Sequence, residues 1–279
     1  MEVTISVAQI GVEDQEGKYE AQGEAIEHAE EAASKGADII VLPEMSTQPF
    51  YPAIADSADD LPNDLEPIPG PAVDNMRDVA RDQGIVIIYP KLEKSEQGDL
   101  YSSAAVIDSD GSLAGLYRRI HRDTGEGIEE SWLSTGDDLP VFETEAATIG
   151  VMIGHDRHFP EQSRILGLHG AEILCVPCAA FGDHHETWEL ELRAHTVAQG
   201  AFLAAANRSG ASGDLEFFGD SFIIDPRGRV QAKIEQDSGL SVEQCDLEEI
   251  REVRDVWQFF RDRRPETYDE MIEEGNMPQ

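Results

Sequence analysis

Cysteine is scarce in this 279-residue chain, which holds only Cys175, Cys178 and Cys245. Three thiols cannot close an even disulfide framework, so the fold must rest on a packed core. Cys175 and Cys178 are spaced C-x-x-C, but they lie on and just after an apolar run, not ahead of a helix. They read as small buried side chains. Basic residues are also few: five lysines and sixteen arginines face 57 acids, giving a formal charge of −36. That imbalance excludes nucleic acid and anionic membrane as partners. It would self-repel in dilute buffer, whereas molar salt shortens the screening length to about 3 Å. The composition therefore points to a halophilic, cytoplasmic protein. No apolar run approaches the ~20 residues of a membrane span. The opening MEVTISVAQIG lacks the basic region and apolar core of a signal peptide.

The patterning alternates strands and helices and predicts an α/β fold. Val3, Ile5 and Val7 alternate with polar residues as a first strand. Tyr19 to Ser34 carries a helical apolar stripe, stopped by Gly36. Ala37 to Leu42 is a buried strand, with Glu44 just past its end, where carboxylates in such units do chemistry. Residues 52 to 71 read as a loop, Val73 to Arg81 as a helix and Ile85 to Tyr89 as a strand. Lys91 to Glu93, Tyr101 to Ile107 and Leu113 to Arg118 read as further strands, the last two joined by a turn at Asp108–Gly111. Ile149 to Ile153 is an apolar run that turns at Gly154-His155-Asp156 and opens a helix at Pro160. Ile173 to Val176 completes a βαβ unit. Thr187 to Gln199 is helical, Phe202 to Ala206 is a buried strand, and a hairpin runs from Gly219 to Ile234. There are no repeats and no linker. One domain over residues 3–268 with an acidic tail over 269–279 is expected.

The stretch from Ile149 to Leu174 resembles the carbon–nitrogen hydrolase (nitrilase) superfamily. That pattern reads I-C-Y/W-D-x-x-F-P-E, a helix, then G-A-E-I-L. Asp156, Phe159, Pro160, Glu161 and Gly170-Ala171-Glu172-Ile173-Leu174 match it. Val41-Leu42-Pro43-Glu44, followed by Phe50 and Tyr51, matches the general-base segment. Tyr117-Arg118-Arg119-Ile120-His121 matches Y-R-K-x-H. Glu129, Trp132, Gly136-Asp137 and Leu139-Pro140-Val141-Phe142 match the segment that follows. Arg193-Ala194-His195 and Ala205-Ala206-Asn207-Arg208 are similar to the branch that hydrolyses N-carbamoyl amines and β-ureido acids.

The resemblance implies a four-layer αββα sandwich that pairs into dimers or higher homo-oligomers, with a small amide or N-carbamoyl ligand and no cofactor. It assigns Glu44 as general base, Arg119 to the catalytic lysine position, Glu129 as the supporting acid and Gly154 to the position of the nucleophilic cysteine. Tyr51, Trp132, His155 and Cys178 are expected around the substrate, and no metal ligands are assigned. Glycine supplies no nucleophile, and arginine's planar fork does not replace an ammonium. Losing the nucleophile of a catalytic unit removes on the order of a millionfold in rate, about 8 kcal/mol. Three readings are open. The chain is a binding protein on a retired hydrolase scaffold; or it hydrolyses by another route, with Glu44 activating water or Cys178 as nucleophile; or His155, Asp156 and His158 hold a metal.

Overall fold

The computed structural model describes residues 1–11, 18–123, 130–235 and 238–271. The first half of the chain runs β1 (Glu2–Gly11), α1 (Lys18–Ser34), β2 (Ile39–Val41), α2 (Pro71–Gln83), β3 (Val86–Lys94), β4 (Leu100–Ile107) and β5 (Leu113–Arg118). The second runs β6 (Val141–Glu143), β7 (Thr148–Val151), α3 (Pro160–Leu168), β8 (Ile173–Pro177), α4 (His185–Gln199), β9 (Phe202–Ala206), β10 (Arg208–Ser212), β11 (Leu215–Phe218), β12 (Phe222–Ile224), β13 (Val230–Lys233), β14 (Gly239–Asp246) and α5 (Glu248–Val256).

Two mixed sheets result. One has the order β11-β10-β1-β2-β3-β4-β5, with β14 also on β1; the other has the order β13-β12-β9-β8-β7-β6. The period-2 alternation of the strands decides what each face covers. In β1, Val3, Ile5 and Val7 meet Ile149, Val151, Ile173 and Ala204 of the other sheet. Ala8 and Ile10 face the opposite way, onto Ala25, Ala29 and Ala32 of α1 and Val73 and Met76 of α2. The outer face of the second sheet packs Leu174, Val176 and Leu203 against Leu166 of α3 and Trp188 and Leu192 of α4. Helix, sheet, sheet, helix is the four-layer sandwich expected.

Local chemistry sets the element ends. Pro71 opens α2, and Gly84 at φ +68° closes it, its N–H donating to Ala80 O at 2.8 Å. The segment Lys91–Glu93, expected as a separate strand, continues β3 through Pro90. β2 pairs only Val86 to Ile88, so Pro90 lies beyond that neighbour, where its missing N–H is tolerated. β14 and α5 were not foreseen. β14 is half-exposed and polar, so neither period marks it. Of the expected acidic tail, Asp269–Met271 forms a short turn and the remainder lies outside the described residues.

Candidate active site

The strands β2, β7, β8 and β9 run parallel within their sheets, and their carboxyl ends meet at the seam between the layers. Ligands bind at such ends because the loops there are free to carry function. Glu44 follows β2, Gly154 follows β7, Cys178 follows β8, Arg208 follows β9, and Arg119 follows β5.

Glu44 is 2% exposed, and its backbone and Oε1 are held. Its N–H donates to Cys178 O at 3.2 Å, a bond between the two sheets. The Ser102 hydroxyl donates to its Oε1 at 2.7 Å, and Arg119 Nη1 donates to the same oxygen at 3.3 Å. Arg208 Nη1 donates to the carbonyls of Glu44, Met45 and Gln48 at 3.3, 3.0 and 3.1 Å, which clamps the loop from inside. Burial raises the Glu44 carboxyl above the ordinary range, with the Glu130 charge adding to the rise and Arg119 opposing it.

Arg119 is 4% exposed and reaches a second acid, its Nη2 lying 2.5 Å from Glu130 Oε2. Burial opposes the guanidinium charge, but Glu44 and Glu130 outweigh it and hold Arg119 charged. The supporting acid expected at Glu129 lies outside the described residues, and the carboxylate on Arg119 belongs to its neighbour Glu130. Asp123 N–H also donates to Glu130 Oε2 at 2.7 Å, while Glu130 Oε1 is buried with no hydrogen-bond partner among the described residues.

Gly154 has φ +52°, a conformation that side chains rarely adopt. An ideal Cβ there would lie 2.5 Å from Glu44 Oε2 and 3.3 Å from Arg119 Nη1. The acid and the cation occupy the space a side chain would need.

Asp156, within the turn Gly154–His158, is fully buried. It accepts from Tyr117 Oη at 2.5 Å, His121 N at 3.0 Å and Ile153 N at 3.1 Å, and His121 Nδ1 lies 2.8 Å away. Both oxygens are thereby engaged, so the metal set His155/Asp156/His158 does not form. Among the described residues, no three His, Cys, Asp or Glu side chains converge as ligands.

Cys178 is fully buried, with Sγ 3.7 Å from Gly154 O and 3.9 Å from Arg157 Nη1. Burial pushes its thiol up to about 12, so near neutral pH it is not a thiolate. Cys178 thus lies behind Gly154, outside the cleft lining. Tyr51 and Trp132 pack, partly buried, on the apolar cluster of Phe50 and Leu133, and Phe50 itself lines the cleft.

The cleft itself, with about 20 Å³ of open room, is lined by Glu44, Arg119, Glu130 and Gly154, with His155, Asp123 and Arg157 among the residues around them. Ala179, Ala180 and Phe181 form another wall. Asn207 holds that wall, accepting from Ala180 N at 2.7 Å. His184 also lines the cleft, and Phe181 was not expected there, since nothing in the loop's sequence fixes its path.

Burial lowers His155 to about 4 and also lowers His28, His184 and His195. Groups with lowered basicity bind fewer protons folded than unfolded. Their stability is present above about 6.5 and is lost as pH falls toward about 4. Glu44, raised, has the opposite sign: its contribution falls as pH rises above the ordinary glutamate range. The four histidines should dominate, so the thermal midpoint at fixed KCl is expected to drop between pH 7 and 5. His155→Gln should flatten that drop, and an unchanged slope would refute the assignment.

The match to known proteins agrees with this geometry. The carbon–nitrogen hydrolase family model matches residues 4–255. The chain belongs to the carbon–nitrogen hydrolase family. An N-carbamoylputrescine amidase of Solanum lycopersicum is 33% identical, over 95% of this chain and 93% of that protein. A citrullinase of Francisella tularensis is 31% identical, over 97% and 98%. Among solved structures, a carbon–nitrogen hydrolase from Helicobacter pylori G27 superposes with a TM-score of 0.90 at 27% identity, covering 98% of both chains. The carbon–nitrogen hydrolase sandwich and its N-carbamoyl-amidase kinship are therefore shared along nearly the whole chain.

Proposed function

We propose that this carbon–nitrogen hydrolase relative binds a small amide or N-carbamoyl compound without the covalent thiolate step implied by its resemblance. The observation that carries this reading is the 2.5 Å between an ideal Gly154 Cβ and Glu44 Oε2. No nucleophile stands there, and its volume is taken by the acid. Hydrogen-bonding capacity remains, because the Oε1 of Glu130, a residue lining the cleft, has no partner among the described residues. An amide or carbamoyl N–H₂ is a donor suited to it, and an unmet buried acceptor otherwise costs about 1–3 kcal/mol.

The test pairs calorimetric binding of N-carbamoylputrescine and citrulline with ammonia release from both, in molar KCl. Binding without ammonia release, weakened at least tenfold by Glu130→Gln, is expected. Sustained ammonia release abolished by Glu44→Gln would instead establish the second reading, in which Glu44, with its raised carboxyl, activates water directly.

The same proposal places the protein in a salt-rich cytoplasm as a homodimer. Charge −36 makes salt screening the main lever on stability. The thermal midpoint should rise by about 10 °C or more between 0.1 and 2 M KCl; a flat response would remove the halophilic reading. Leu190, Val256 and Phe259 are exposed apolar side chains at 70%, 69% and 45%. Sedimentation in molar KCl would show a monomer if these faces stay unpaired.

A further inference from the structure

Two oddities of the site, an arginine at 119 and a glycine at 154, have a single geometric cause. Glu44 cannot withdraw from the space in front of Gly154. Its Oε1 is engaged by Ser102 and Arg119, its N–H is tied to Cys178 O, and its carbonyl is clamped by Arg208. The remaining oxygen, Oε2, is the one 2.5 Å from where a Cβ would stand.

Arg119 cannot withdraw either. Its N–H donates to Ser102 O at 2.9 Å, and its carbonyl accepts from Gly136 N at 2.8 Å. Gly136 is packed so closely that a Cβ there would lie 2.2 Å from Arg118 O. The guanidinium spans Glu44 on one nitrogen and Glu130 on the other. A planar fork can hold two carboxylates at fixed spacing, whereas an ammonium on a flexible stem imposes no such spacing.

We infer that Arg119 is the positioning residue that fixes Glu44 across the face of Gly154, so that positions 119 and 154 are coupled. A side chain at 154 is admitted only when a shorter cation at 119 lets the Glu44 carboxylate swing aside. This holds whatever the cleft binds, so its failure would leave the proposed ligand class untouched.

The experiment is a double-mutant cycle with Gly154→Cys, Arg119→Lys and the pair together, read by thermal midpoint in molar KCl. The backbone cost of a side chain at φ +52° is the same in both backgrounds and cancels in the cycle. The second readout is alkylation of the introduced thiol by iodoacetamide, since the native cysteines are all buried. Gly154→Cys alone should lose several degrees and alkylate slowly. In the pair, the loss should be well under the sum of the two single losses, and alkylation should be at least tenfold faster. Gly154→Ala with and without Arg119→Lys repeats the cycle should the thiol variant fold poorly. Additive losses together with equal alkylation rates would overturn the coupling.

Discussion

Arg119→Met is expected to destabilise the protein by about 3–5 kcal/mol, because it leaves two buried carboxylates without their cation. Glu44 and Glu130 are each 2% exposed, so water cannot replace the lost charge. At an effective dielectric of ~20, each pair about 4 Å apart contributes roughly 4 kcal/mol of attraction, comparable with the desolvation of the ions. The intact cluster is thus near balance, while the broken one is not. For a chain of this size the thermal midpoint should fall on the order of 10 °C. The loss should also depend on pH. Without Arg119 the main influence opposing the rise of the Glu44 carboxyl is gone, and a raised acid stabilises the fold only while it is protonated. The variant should therefore recover part of the loss at pH 5 and lose most at pH 8. Melts at both pH values in constant KCl decide the matter. A loss under 1 kcal/mol, equal at both, would show that the acids are not held as described.

Asp156→Ala should be about as severe, near 4 kcal/mol or more. It strands the Tyr117 hydroxyl and the backbone N–H groups of His121 and Ile153, and it frees the His121 ring. Each stranded buried donor costs about 1–3 kcal/mol. Tyr117 is 1% exposed and keeps only Gln162 Nε2 at 2.7 Å, itself a donor. Asp156→Asn, isosteric but able to accept through one oxygen only, should cost roughly half as much. Denaturant unfolding would separate the two. Near-equal midpoints for Asn and Ala would mean that the carboxylate does not link the turn after β7 to the end of β5.

Much of this was readable from the chain. Short continuous apolar runs marked β2, β7, β8 and β9, and Glu44, Arg119 and Gly154 fall at the strand ends where their sequence positions put them. What lay out of reach was set by contacts between distant segments. Glu130 pairs with Arg119, a contact that no residue pattern encodes. Arg208 looked like part of a motif, but its work is to bind three carbonyls some 160 residues earlier in the chain. Trp132 and Tyr51 were placed at the ligand from family likeness. They pack, partly buried, on the apolar cluster around Met45 and Leu133, which shares Phe50, Ala179 and Phe181 with the cleft.

The tie between Glu44 N–H and Cys178 O joins the ends of β2 and β8, strands from opposite sheets. With Arg208 anchored from the chain just after β9, this small region acts as a rivet through the sandwich. Its amide protons should therefore exchange with solvent only when both layers open together. A molecule seated in the cleft would slow that exchange on the two sheets at once, so ligand occupancy would be visible far from the ligand itself.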